Sequence, residues 1–144
     1  PVQRHETADD FSKLEAALEL LIHPDIKTHY QRYWSANLEA EHPDGHVSLL
    51  YLWNQLDTDR LVENLIGHSL ACQQNRTPFS VFFACTEPDS DLFLTVNNQS
   101  GQVQLEEPGK PPIRVVAESL TDFMHQLVPS PTHNPLNVFD ESQI

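Results

Sequence analysis

His42 and His46 bracket the turn "HPDGH". Two imidazoles four residues apart can hold a metal ion when a third ligand joins them. No third ligand is apparent, and the pair reads as solvated turn histidines. Asp89 and Asp91 lie in "TEPDSD" but lack the glycine and closing glutamate of a calcium loop. Cys72 has histidines nearby, yet nothing marks it as a reactive thiol. With Cys85 it shows no metal or redox spacing, so both read as reduced core thiols. There is no Gly-rich phosphate loop and no G-x-S-x-G elbow. The sequence therefore points away from an enzyme and implies no cofactor and no metal. Asn75-Arg76-Thr77 and Asn98-Gln99-Ser100 match the glycosylation pattern; with no secretory signal visible, the matches are expected to be chance.

The chemistry that the sequence does offer is electrostatic. Asp and Glu number 21 against 8 Lys and Arg, a formal net charge of −13. That balance opposes nucleic acid and anionic lipid and favours basic partners. Glu39 and Glu41 fall two apart on one face of an expected strand, with Asp44 just after. Asp59 and Glu63 lie four apart on an expected helix. Glu87, Asp89 and Asp91 crowd one turn. Singly these are solvated surface; together they can form a negative groove for a basic segment.

The elements that would position these groups follow from periodicity. Thr7 and Asp10 resemble a capping box, and Phe11, Leu14, Leu18, Leu21 and Ile22 recur at helical spacing. Pro24 ends that helix and opens a second with Ile26, Tyr30, Tyr33 and Trp34. Leu38 and Ala40 alternate with polar residues, "HPDGH" turns, and Val47 to Trp53 reads as a buried strand, completing a hairpin. Asp57 is the expected N-cap of a helix running to about Gln74. Its stretch "LVENLIGH" turns Leu61, Val62, Leu65, Ile66 and Ser69 to the core. Asn64 and His68 are four apart and can touch. Gly67 falls on the polar side, where a glycine costs about 0.5–1 kcal/mol relative to alanine. A close backbone approach, by this domain or by a partner, would account for it. Three strands follow, "FSVFFAC", "LFLTVNN" and "QVQLEE"; "IRVVAE" is a fourth strand or an extended segment. Ser119 and Asp122 cap a last helix. The expected order is α-α-β-β-α-β-β-β-α, an α+β domain with helices packed against a mostly antiparallel sheet. One domain spans 1–128, and 129–144 is a flexible Pro-rich tail. The apolar runs are too short to span a bilayer.

"LVENLIGH", "HPDIKTHYQRYW" and "NNQSGQV" together resemble the Syd family, the SecY-interacting proteins of the bacterial cytoplasm. The resemblance runs from about Phe11 to about Val128. It implies a non-enzymatic protein, peripheral at the cytoplasmic face of the inner membrane, that monitors or sequesters improperly assembled SecY. It also implies a further N-terminal segment, missing from this chain. The acidic reading agrees in sign, because cytoplasmic loops of membrane proteins carry excess Lys and Arg. Asp59, Glu63, Glu39, Glu41, Asp44, Asn64, His68 and Gly67 are the expected partner-contacting residues, chosen by their clustering near "LVENLIGH". The alternative is an immunity protein that neutralises a basic toxin domain.

Overall fold

Helix ends are set by left-handed and capping residues. The computed structural model describes residues 2–3, 11–31, 33–52 and 54–129; the expected capping box at Thr7 and Asp10, Trp53 and the tail from 130 lie outside them. Helix α1 (Ser12–Leu18) stops because Glu19 turns left-handed, φ 54°. The expected stripe therefore breaks after Leu18, and Leu21 is exposed. Helix α2 (Pro24–Gln31) begins at its proline, which supplies a fixed φ and needs no donor there. Its apolar stripe ends at Tyr30: Tyr33–Trp34 form strand β2, paired with β1 (Val2–Gln3). Glu15 ties α1 to α2, accepting from the Ile22 amide at 2.8 Å and pairing with Lys27 at 2.8 Å.

Helix α3 (Gln55–Asn75) starts three residues earlier than expected. Asn54 is its N-cap, and its side chain accepts from the Asp57 amide at 3.0 Å. Asp57 thus stands in the first turn, where its charge favours the helix dipole. Thr58, Leu61, Leu65, Ser69 and Cys72 are its buried residues. Helix α4 (Leu120–His125) carries the expected cap, Ser119 accepting from the Asp122 amide at 3.0 Å.

Seven strands form one antiparallel sheet: β3 (Leu38–His42), β4 (Gly45–Leu49), β5 (Ser80–Cys85), β6 (Phe93–Asn97), β7 (Val103–Glu106), β8 (Arg114–Ala117) and β9 (Val128–Pro129). Their spatial order is β8-β7-β6-β5-β4-β3-β9, a meander closed on one side by the last strand. "IRVVAE" is thus a strand, and β9 pairs with β3 just where the tail was expected to begin. The α+β architecture and the order of the main elements agree with the sequence.

Paired residues in adjacent strands point to the same face. Leu49, Ala84, Leu94 and Leu105 run side by side across β4 to β7, with Val81, Val96 and Val103 following on that face. This is the core face. Phe11, Leu14, Ile26, Tyr30, Leu61, Leu65 and Phe123 join it in one apolar cluster. His29 is buried within the cluster, its Nε2 donating to the Leu50 carbonyl at 2.7 Å. Burial pushes this imidazole down to about 4, so it is neutral at pH 7.

Asn98, in the turn after β6, locks the α1–α2 connection onto the sheet. Its Oδ1 accepts from the His23 amide and its Nδ2 donates to the Leu21 carbonyl, both at 2.8 Å. Gly101 in the same turn has φ +80°, and a Cβ there would stand 2.7 Å from the His23 ring. The amide of Asn98 is therefore structural. Asn98→Ala removes both bonds across a separation of more than seventy residues and should cost about 1–3 kcal/mol, measured by urea unfolding with an unchanged m-value.

Candidate protein-binding site

Opposite the core face, the same register lays out a different row. Glu39 pairs with Ser48, Ser48 with Cys85, Cys85 with Phe93, and Phe93 with Glu106. One row on one face thus crosses β3 to β7, spanning about 19 Å at about 4.8 Å per strand. Exposure changes along it. Glu39 and Cys85 are exposed, Ser48 and Phe93 half-buried, and Glu106 is only 4% exposed. The row has a shallow acidic end and a deep acidic end.

At the shallow end Glu41 shares the face, and His46 lies between the two carboxylates. Its Nδ1 is 3.0 Å from Glu41 and its Nε2 3.0 Å from Glu39. Burial alone would lower the His46 pKa, but the two hydrogen bonds and charges outweigh it and raise it. Both ring nitrogens donate when the ring is protonated, and that charge then partly neutralises this end. His42 is on the opposite face, stacked on Phe123 at 4.8 Å with its Nε2 bonded to the Gln126 side-chain oxygen Oε1 at 2.5 Å. The expectation of solvated turn histidines is therefore corrected: both are buried. Strand alternation sends them to different faces, which removes them as a metal pair. Asp44 is engaged too, 2.9 Å from the Arg114 guanidinium. With Glu87 and Asp89 it lines a cavity of about 380 Å³.

At the deep end Glu106 Oε2 accepts from Ser80 at 2.6 Å and from Thr95 at 2.5 Å. His68 reaches across from α3, its Nε2 3.1 Å from Ser80 Oγ and 3.6 Å from Cys72 Sγ. The expected His68–Asn64 contact gives way to this longer-range one, because His68 points inward among Phe79, Phe82 and Phe93. Ser80 spends its proton on Glu106, so His68 Nε2 carries the hydrogen that it donates to Ser80. Burial lowers the His68 pKa and raises that of Cys72. The direction of this chain matters. The carboxylate rests on the hydroxyl, and the imidazole offers a proton where a general base would need a lone pair. Ser80 and Cys72 are not activated by it. Cys85, expected in the core, is instead an exposed thiol on the row.

Asp59, Glu63, Asn64 and Gly67 stand on the exposed side of α3, with Asp59 accepting from Gln55 at 3.3 Å. A Cβ at Gly67 would meet nothing within 4 Å. Among the described residues no segment approaches it, so the close intramolecular approach offered for that glycine is not found there. Ser80, Thr95, Phe93 and Glu106 were not singled out in the sequence; their signal is only that their strands pair in this register.

The fold is thus an antiparallel α+β domain whose sheet carries an apolar face and, opposite it, a row with a carboxylate at each end. A family model described as "Syd protein (SUKH-2)" matches residues 1–129. Protein Syd of Pseudoalteromonas atlantica is 41% identical over 132 residues, covering 92% of this chain and 70% of that protein. Protein Syd of Colwellia psychrerythraea is 41% identical over 122 residues (85% of this chain, 60% of that protein). Protein Syd of Hahella chejuensis is 42% identical over 122 residues (85% and 62%). The chain belongs to the Syd family, and it spans about 60–70% of the length of these relatives. No helix among the described residues is long and apolar enough to cross a membrane.

Two outcomes follow from this geometry. Gly67→Ala should raise stability by about 0.5–1 kcal/mol in chemical denaturation, since the new methyl meets open space. His46, followed by NMR, should titrate above 6.5 and fall when Glu39→Gln and Glu41→Gln are combined. Because its folded pKa is raised, its contribution to stability is complete below about 6.5 and is lost as pH rises through the folded value.

Proposed function

We propose that this protein binds basic cytoplasmic loops of SecY through its acidic sheet row and the exposed acidic side of α3, and that it does so as a regulator without catalytic activity. The observation that carries the reading is the row itself, with Glu39, Glu41 and Glu106 on one face of a chain of net charge −13. Membership of the Syd family supports SecY as the partner through what the family resemblance implies. Lys- and Arg-rich loops are the complement such a face requires. The same charge repels anionic headgroups, so association with the cytoplasmic face of the inner membrane runs through protein contacts. Residues Asp59, Glu63, Asn64 and Gly67 contribute the helix side of the surface; Glu39, Glu41 and Asp44 contribute the hairpin side; His68 buttresses the deep end from within. Nothing in the comparisons favours the immunity-protein alternative.

A pull-down of the tagged protein from detergent-solubilised inner membrane tests this. SecY should be recovered at low salt and lost at about 0.5 M, where screening acts over only a few ångströms. Reversing Glu39, Glu41, Asp59 and Glu63 to Lys together should reduce recovery at least tenfold. Recovery indifferent to both manipulations discards the acidic surface as the grip, and no recovery at any salt discards SecY.

A further inference from the structure

The deep end of the row opens into a cavity of about 470 Å³, bounded by the C-terminal half of α3, the β5–β6 connection and the β7–β8 turn. Glu106, His68 and Cys72 line it with Phe82 and Phe93, and Asp91 and Glu107 stand at its mouth. Glu106 is 4% exposed. Its two hydrogen-bond donors, Ser80 and Thr95, are neutral hydroxyls, and both use Oε2. Among the described residues no cation pairs with this carboxylate and Oε1 accepts no hydrogen bond. Lys110 lies on the rim, paired with Glu107 at 3.4 Å, and is itself largely exposed.

A buried carboxylate normally has a charged partner, because hydroxyl donors alone offset only part of its desolvation. Here the carboxylate lines a cavity whose walls include Phe82 and Phe93. A planar guanidinium fits such a setting better than an ammonium. It stacks on ring faces, and it is more weakly hydrated, so it loses less on leaving water. Its aliphatic stem would lie along Phe82 and Phe93.

We infer that this cavity is an anchor for one arginine side chain of the bound partner, its guanidinium paired with Glu106 in the cavity that Phe82 and Phe93 also line. The inference rests on reading the protein as a binder of a basic segment, but it names a single group and a single pocket and does not require that the segment come from SecY.

The test uses the wild-type chain and two blocked pentapeptides, acetyl-Gly-Ser-Arg-Ser-Gly-amide and the same peptide with citrulline, the neutral isostere of arginine. Titration is followed by NMR signals of Phe93, Phe82, His68 and Cys72. The arginine peptide should shift these signals saturably and bind at least tenfold more tightly than the citrulline peptide. Glu106→Gln should shrink that ratio below about threefold, whereas Asp91→Asn at the mouth should leave most of it. Equal affinity for the two peptides overturns the inference, as does a response confined to residues outside the cavity. If Glu106→Gln fails to fold, the comparison of the two peptides on the wild-type chain still decides. The partner and the anchor fail separately. Arginine-selective binding without SecY recovery keeps the anchor and discards SecY; SecY recovery without arginine selectivity does the reverse.

Discussion

The register of β3 to β7 is the constraint on which both faces of this domain depend. Side chains alternate along a strand, so a slip of one residue exchanges the two faces. In the observed register Leu49, Ala84, Leu94 and Leu105 meet on the apolar side, and Glu39, Ser48, Cys85, Phe93 and Glu106 meet on the other. A slip in β7 alone would bring Glu106 to the core and Leu105 to the cavity. Burial of the leucine and valine rows therefore specifies where the carboxylates go, without any attraction among the carboxylates themselves. The acidic row is a consequence of packing the core, and it comes at no separate folding cost except at its deep end.

That exception shows how the charge is distributed. The cations of the described residues are mostly occupied at the periphery: Lys27 on Glu15, Arg60 on Asp57, Lys110 on Glu107 and Arg114 on Asp44. Exposed pairs of this kind contribute little stability individually, but they leave few positive groups for the row. Among the described residues, the His46 imidazole between Glu39 and Glu41 is the group on the row that becomes a cation on protonation. A chain this acidic is held together by its apolar cluster and its long-range side-chain hydrogen bonds, of which the Asn98 clasp and the His29–Leu50 bond are the clearest.

Much of this fold was legible in the sequence, because alternation and helical spacing report directly on burial. The β3–β4 hairpin, the three strands after α3 and the Ser119 cap all follow local rules. The misses are cases where local spacing left more than one partner open. Asn54 took the cap from Asp57 through geometry that either residue could satisfy on paper. His42 and His46 look equivalent in "HPDGH", and only the register, which assigns one to the Phe123 side and the other to the glutamates, separates them. His68 left Asn64 for Ser80, a partner twelve residues away, because three phenylalanines make a pocket for its ring. The site was half legible. Glu39 and Glu41 could be placed on one face from their spacing, whereas Glu106 joins them only through four successive strand pairings. Gly67 was the sharpest local signal, and among the described residues no segment supplies the intramolecular approach offered for it.

The two ends of the row are not equivalent as binding surface. At the shallow end a cationic side chain must compete with His46, which already gives each glutamate a hydrogen bond at 3.0 Å. Displacing it leaves a buried imidazole without acceptors, a penalty that offsets most of the new contact. At the deep end nothing has to be displaced, because the hydroxyls of Ser80 and Thr95 occupy one oxygen and leave the other open. Binding energy concentrates where a group is both desolvated and incompletely satisfied before the partner arrives. Long-range attraction by the exposed carboxylates of α3 and the hairpin would then set how fast a basic segment arrives, and the single contact at Glu106 would set how long it stays.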